Sequence, residues 1–476
     1  MTATDTDTQL NDLRGILGPE YVKTGADAAP WSCDWPKHTH WTPFAVVRPA
    51  DTQEVAQVVQ WANRTGKAIV PVSGNTGLVE GSTAEDAVMV SLDRMSTIRE
   101  VRPKARVAIV EAGAILSNIH AAADAHDLIF PLTFGARGSA MIGGALSTNA
   151  GGSNVVRYGN TRHLCLGIEA VLPTGEIIDL MSELHKDNSG YDLRDLLIGA
   201  EGTLGIITAA VLKLHPKPMA YATAMVAAPS LNDALTLLNT LQRETGGAVE
   251  AFEFMPRTFM EAYLERYPEA RAPFDEMHEI NILVEVGALS PRDATPGDDG
   301  HVPVTAHLEG VLGRLFEDGA ILDAAVAQSD TQRQEMWARR EASAEVVRLR
   351  QPLIDNDIAV PLDQIQTLLE QIVQKSKGID PELIPMCVAH LGDGNLHFAG
   401  WPSTDDPETL HKIKEMVDDT AIALGGSFSA EHGVGLTKKS AMARHKNPVA
   451  LQAMRAIKQA LDPKGIMNPA KVLPDD

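Results

Sequence analysis

Cysteine is scarce in this chain of 476 residues: Cys33, Cys165 and Cys387 are all there are, and no two of them have CxxC spacing. That pattern excludes a thiolate zinc site and fits a reducing compartment, with the thiols serving as small buried apolar side chains. Basic residues are also short, 41 against 63 acidic ones, giving a formal net charge of -22. Sequence-independent nucleic-acid binding needs cations to neutralise phosphates and is not expected. Any anionic ligand must instead be met by local basic residues. No apolar run approaches the roughly 20 residues of a membrane-spanning helix. Met1 to Arg14 is polar and acidic, unlike a signal or transit peptide, so a cytoplasmic location is expected. The common nucleotide fingerprints are missing too. There is no GxGxxG after a strand pattern and no GKS or GKT, which leaves Rossmann and Walker phosphate sites unsupported.

What is present reads as globular, with 44% hydrophobic and 22% charged residues and a length that suggests two or three domains. Residues 1–40 read as an N-terminal arm holding a short amphipathic helix, Leu10 to Leu17, with Trp31, Trp35 and Trp41 available to anchor it on a later domain. Regular structure is expected from Phe44. A strand over Phe44 to Val47 is followed by a helix to Arg64, capped by Asp51 and Glu54 and ended by Gly66, and then by a strand over Ala68 to Val72. This unit empties into Ser73 to Ser82, a loop with three glycines and no basic residue, whose backbone N–H groups can converge on an anion. A second segment, Pro131 to Gly152, carries six glycines, too many for an efficient helix and suited to a backbone laid against a large ligand. A third glycine cluster, Gly199 to Gly205, leads into the β-branched run Ile206 to Leu214. Further strand patterns lie at 88–92, 107–111, 166–172 and 177–180. His215-Pro216-Lys217-Pro218 then marks a domain boundary.

Beyond it, helical patterns at 231–242 and 306–316 alternate with strand patterns at 222–226, 249–254 and 280–286, predicting an antiparallel sheet with helices on one face. The domains expected are 1–40, 41–218, 219–424 and 425–476. Residues 290–302 read as a loop, and a charged helix contains Arg339 and Arg340, which by themselves read as a solvated face. The segment Pro385 to Phe398 places Asp393-Gly394 between two apolar runs, a strong hairpin signal. A two-residue turn there would set His390 opposite His397, close enough for two imidazoles to meet one ion. A lone histidine is more often a hydrogen-bonded core or surface residue. The opposed pair together with the downstream Glu431-His432 favours a metal site.

Six motifs in order, PVSGNTGLVEGS, GARGSAMIGGALSTNAGG, KDNSGYDLRDLLIGAEGTLGIIT, HLGDGNLH, EHGVG and a terminal MNP, make the chain from about residue 40 onward resemble the FAD-linked dehydrogenases of D-2-hydroxy acids. That group lies within the vanillyl-alcohol-oxidase-like flavoproteins. The resemblance implies an α+β protein: a two-subdomain FAD-binding fold, an antiparallel-sheet cap domain and a C-terminal helical portion contacting the flavin. It implies that Gly74, Asn75, Thr76, Gly77 and Ser82 hold the FAD pyrophosphate, and that Gly138, Ser139, Gly143, Gly144, Thr148, Asn149 and Gly152 line the flavin and ribityl chain. Glu201, Gly205 and Ile206 would lie near the adenosine half, and Asn468 near the isoalloxazine. FAD in this group is generally not covalently attached. His390, His397 and Glu431 would hold zinc or manganese with a position left for substrate, His432 would act as general base, and Arg340 would pair with the substrate carboxylate.

The activity implied is oxidation of a D-2-hydroxy acid, such as D-2-hydroxyglutarate or D-lactate, with hydride transfer to flavin. Electrons would pass to an electron-transfer flavoprotein, quinone or cytochrome, and self-association into a homodimer is left open. Three departures bear on the substrate. Ala344, Asp355 and Ala399 stand where hydroxyglutarate enzymes of the group carry a hydroxyl residue, a lysine and an asparagine, which favours a smaller or less charged acid, although Arg348 or Lys37 could substitute. A phenol oxidase of the same superfamily and an FAD-binding electron-transfer subunit are the alternatives.

Overall fold

A computed structural model describes residues 3–298 and 300–475. The chain forms two compact units, one of Met1–Gly151, Asn160–His215 and Glu431–Asp476, the other of Gly152–Gly159 and Pro216–Ala430.

The first unit is built on two sheets. In the smaller, β1 (Val22–Lys23), β2 (Ala45–Val47), β3 (Ile69–Val72) and β4 (Val88–Ser91) take the order β1-β2-β4-β3, with β2 and β3 both parallel to β4. The crossover between β2 and β3 is the helix Thr52–Thr65. Asp51 accepts from the Glu54 N–H, Glu54 accepts from the Ala50 N–H, and Gly66 closes the helix in the left-handed region at φ 70°. Val55, Val58, Val59 and Trp61 form the buried stripe. The N-terminal residues are part of this unit rather than an arm on a later domain. The helix Ala3–Leu17 buries Leu13 and Leu17 in the same core, and Asp12 accepts from the Trp61 indole. Trp31 donates to Ser91 and Trp41 is buried, whereas Trp35 is exposed.

The larger sheet is antiparallel, with β5 (Ile98–Arg102), β6 (Val107–Glu111), β7 (Cys165–Val171), β8 (Ile177–Leu180) and β9 (Ile206–Lys213) in the order β5-β6-β9-β7-β8. β5 escapes sequence reading because it is an edge strand, Ile-Arg-Glu-Val-Arg, with little apolar alternation. The second glycine segment departs from expectation as well, since Ile142–Thr148 is a helix. A Cβ at Gly143 would lie 2.7 Å from the Ala112 side chain, so close packing of the helix overrides its poor propensity.

The second unit is a seven-stranded antiparallel sheet of β10 (Ala220–Ala227), β11 (Val249–Pro256), β12 (Ile280–Ala288), β13 (Asp323–Val326), β14 (Ile354–Ala359), β15 (Ile384–His390) and β16 (Asn395–Trp401), ordered β13-β10-β12-β11-β15-β16-β14. Helices cover both faces, not one. Leu231–Glu244, Pro303–Glu317, Ile365–Ser376 and Pro407–Ala423 pack with Phe252, Phe254, Leu396 and Phe398 on one side. Arg257–Arg266 and Asp330–Glu341 pack with Met255, Met386, Val388 and Trp401 on the other. The strands are accordingly buried nearly throughout, which blurs the alternation that betrays a one-faced sheet. The expected loop at 290–302 contains a helical turn, Pro291–Ala294. No helix among the described residues is long and apolar enough to cross a membrane.

Candidate active site

The hairpin β15–β16 forms in the second unit, but with a different register from the one a two-residue turn would impose. His390 pairs with Asn395 and Val388 with His397, so the connection is the four residues Leu391 to Gly394. The slip is by two positions, and because side chains alternate with period two it leaves both histidines on one face. They meet diagonally, edge to face, with ring centroids 5.3 Å apart at 82°. Gly394 takes φ 84°, and a Cβ there would lie 2.5 Å from the Val360 carbonyl. The turn packs against the short stretch Gly152–Gly159, which belongs to this unit. A Cβ on Gly392 would strike Val156 at 2.6 Å, and Arg157 and Tyr158 are held by Glu250 at 2.5 and 3.0 Å.

The same sheet face gathers partners that the motifs do not reveal. Glu253 on β11, 1% exposed, accepts from Arg340 Nε at 2.7 Å and lies 2.9 Å from His390 Nδ1. Burial alone would raise its carboxyl, but the close contacts with His390 and the Arg340 guanidinium outweigh burial and hold it below the usual range. With Nδ1–H donating to Glu253, the lone pair of His390 is left on Nε2, the arrangement that orients a metal-ligating imidazole. Arg340 Nη2, 3.5 Å from Nδ1, then faces a nitrogen that already carries a proton and makes no true hydrogen bond to it. Arg340 also donates to the Ser343 hydroxyl at 3.2 Å, and neither Arg339 nor Arg340 is a solvated residue, each being 6% exposed. Asp357 on β14, 1% exposed, accepts from Asn395 at 2.9 Å and from the Ala430 N–H at 3.1 Å. It lies 4.0 Å from His397 Nδ1, beyond hydrogen-bond reach. The signal that could have exposed these acids is a carboxylate flanked by large apolar residues within a strand, clearest for Glu253 between Phe252 and Phe254 and weaker for Asp357, which follows Asp355 and Asn356. Two imidazoles with a buried carboxylate behind one of them make a donor set that fits a divalent ion.

In the first unit the two glycine segments lie backbone to backbone. A Cβ at Gly74 would meet the Ser139 carbonyl at 2.3 Å, while Gly77 and Gly138 face open space. Asn75, at φ 50°, donates to the Cys33 carbonyl and accepts from Ser82, so these side chains shape the loop. Ser139 and Thr148 bond back to carbonyls of their own segment, Asn149 accepts from the Arg162 N–H, and Gly144 lies against Ser73. Gly205 and Ile206 serve sheet packing: a Cβ at Gly205 would lie 2.9 Å from the Val171 carbonyl, and Ile206 is 1% exposed in the core. Asn468, at φ 38°, donates to the carbonyls of Gly81 and Glu201, and its buried Oδ1 has no protein partner. Open glycine faces and an orphaned buried acceptor fit a large ligand with N–H donors such as FAD. Glu431 and His432, both partly buried, open the last stretch of this unit.

Residues 43–181 match the family model "FAD binding domain", and residues 217–472 match "FAD linked oxidases, C-terminal domain". The chain is 34% identical to the mitochondrial D-2-hydroxyglutarate dehydrogenase of Arabidopsis thaliana, over 93% of this chain and 77% of that one. It is 33% identical to the D-2-hydroxyglutarate dehydrogenase of Xanthomonas citri pv. viticola, over 98% and 97% of the two chains. It belongs to the FAD-linked D-2-hydroxyacid dehydrogenases. This dehydrogenase is therefore an FAD-dependent oxidoreductase, and its fold is the α+β one of the vanillyl-alcohol-oxidase type. p-Cresol methylhydroxylase with substrate bound superposes with a TM-score of 0.74 at 15% identity, covering 100% of this chain and 98% of that one. Alkyldihydroxyacetonephosphate synthase gives 0.72 at 18%, covering 97% and 84%. At such identities these two neighbours bear on the fold of the dehydrogenase alone.

Proposed function

We propose that this dehydrogenase oxidises a D-2-hydroxy acid to the 2-oxo acid with the help of a divalent ion, zinc or manganese, held by His390, His397 and Glu431. The observation that carries the reading is the contact between Glu253 and His390 Nδ1 beside His397. A buried carboxylate behind a histidine is what metal ligation calls for, and Glu253 fills that place while also pairing with Arg340. Covalent continuity supports the third ligand, since Glu431 follows Ala430, whose N–H is anchored on Asp357 next to His397.

Oxidation removes two hydrogens from the substrate, one on oxygen and one on C2. Bound FAD supplies the two-electron acceptor, and a bound divalent ion supplies positive charge that makes a hydroxyl easier to deprotonate. The chain does the rest. His432 takes the hydroxyl proton, imidazole being the side chain that exchanges protons near neutral pH. Glu253 keeps His390 in one tautomer. Arg340 carries five N–H donors, of which Glu253 and Ser343 take two, and the remainder provide a binding edge for the substrate carboxylate.

The named relatives act on D-2-hydroxyglutarate, but two residues beyond His397 favour a smaller or less charged acid. Ala399, buried with Met386, Val388 and Trp401, and its cross-strand neighbour Asp355, which is exposed, supply neither an amide nor a cation for a distal carboxylate. Electrons leave to a flavoprotein, quinone or cytochrome, a reading supported by the lack of any nicotinamide fingerprint. Anaerobic mixing with substrate tests the metal and base roles. Chelator-treated protein should fail to bleach its flavin, and His432→Ala should slow bleaching with the flavin spectrum unchanged. Undiminished rates in metal-free protein or in the variant would remove those roles.

A further inference from the structure

Glu201 is the only acid in the third glycine cluster, and its surroundings are unusual. It takes a left-handed φ of 51° and is 9% exposed. Its Oε1 accepts from the Val434 N–H at 2.7 Å and its Oε2 from the Gly435 N–H at 2.8 Å. Its carbonyl accepts from Asn468, which also holds the Gly81 carbonyl. Gly433 is fitted to the same carboxylate: at φ 85° a Cβ would lie 2.9 Å from it. Gly435, at φ 50°, is pressed on the other side, where a Cβ would lie 2.0 Å from the Val79 carbonyl. Burial pushes the Glu201 carboxyl above the usual range, against the two N–H groups and nearby Lys438. The group therefore sits in a place where only tight hydrogen bonding justifies a carboxylate.

We propose that Glu201 is a positioning residue that clamps the loop carrying Glu431 and His432, rather than a ligand of the adenosine half of FAD. The clamp engages backbone two and three residues beyond His432, where it sets the direction of the chain without touching the reacting atoms. The proposal rests on the metal and base roles proposed above for Glu431 and His432. Both oxygens of Glu201 are committed to that loop, and the Glu201–Gly202 turn that presents them is fixed by Pro71, 2.4 Å from where a Gly202 Cβ would be.

Glu201→Gln keeps the shape but turns an N–H₂ toward one of the two backbone donors. In the FAD-loaded protein, hydrogen exchange at the Val434 and Gly435 amides should accelerate, while flavin content per protein stays at the wild-type value. Affinity for added Mn²⁺ or Zn²⁺ should fall about tenfold or more, as for loss of an orienting outer-shell group, and excess ion should restore kcat. Faster exchange confined to these two amides separates this outcome from a folding defect, which would speed exchange throughout the chain. Gly433→Ala pushes on the same clamp from the loop side and should give the same pattern if the glutamine variant fails to accumulate. Loss of flavin with metal affinity preserved, or unchanged exchange at both amides, overturns the proposal. If wild-type protein binds neither ion, the metal reading itself has failed, and the exchange result still decides whether the clamp exists.

Discussion

Replacing Glu253 by Gln removes one negative charge from a place where nothing else can supply it. The carboxylate is 1% exposed and sits between Arg340 Nε at 2.7 Å and His390 Nδ1 at 2.9 Å. Breaking one side of a buried ion pair costs about 3–5 kcal/mol, because the surviving charge stays desolvated. Glutamine still accepts one hydrogen bond, which places the expected loss near the lower end, about 3 kcal/mol, in urea unfolding of the metal-free protein. The His390 tautomer is then no longer held, and affinity for Mn²⁺ or Zn²⁺ should fall about 10–100-fold, or roughly 1.4–2.7 kcal/mol. Adding Arg340→Met should recover much of the stability, since a buried pair can often be exchanged for apolar residues, but none of the metal affinity. The carboxyl is held below its usual range, so its stabilisation is complete above the unfolded pKa of about 4.3 and is lost as pH falls through the lower folded value. Unfolding of Glu253→Gln within about 0.5 kcal/mol of wild type, together with unchanged metal affinity, would refute the reasoning.

Gly74→Ala should drive the two glycine segments apart, because its Cβ would lie 2.3 Å from the Ser139 carbonyl; purified variant should carry little flavin by its absorbance ratio, and full flavin content would contradict this. Among the described residues Lys471 donates to the carbonyls of Thr83 and Pro469, and burial with Lys439 nearby pushes its ammonium down to about 8. The unfolded chain keeps this proton up to about pH 10.4, so the folded state gains stability between those two values, and the wild type should gain on Lys471→Met between about pH 7.5 and 9.5. A difference that stays flat, or moves the other way, would contradict the assignment.

The crossover helix Thr52–Thr65 was legible because its cap, stripe and terminal glycine all act within a few residues. The hairpin was legible as a hairpin, yet its register was not: Asp393-Gly394 suggests a two-residue turn, and the four-residue connection depends on packing against Val360 and Val156 from distant segments. His390 and His397 share a face in either register because the two registers differ by an even step. The helix Ile142–Thr148 is hidden from the sequence for a similar reason, since contact with Ala112 decides it and local propensity does not. Glu253 and Asp357 carry no motif. Their roles arise from strand order, which brings β11 beside β15 and β14 beside β16, and strand order is a long-range property. Arg340 reads as a surface charge until Glu253 is placed beneath it.

The most direct measurement of the central claim is anaerobic flavin bleaching by matched D- and L-2-hydroxy acids, from lactate to hydroxyglutarate, in metal-loaded and chelated protein. The account predicts bleaching by D-acids alone, fastest with short or uncharged distal groups, and its loss on chelation. Bleaching that ignores configuration, or that persists unchanged without metal, would contradict it.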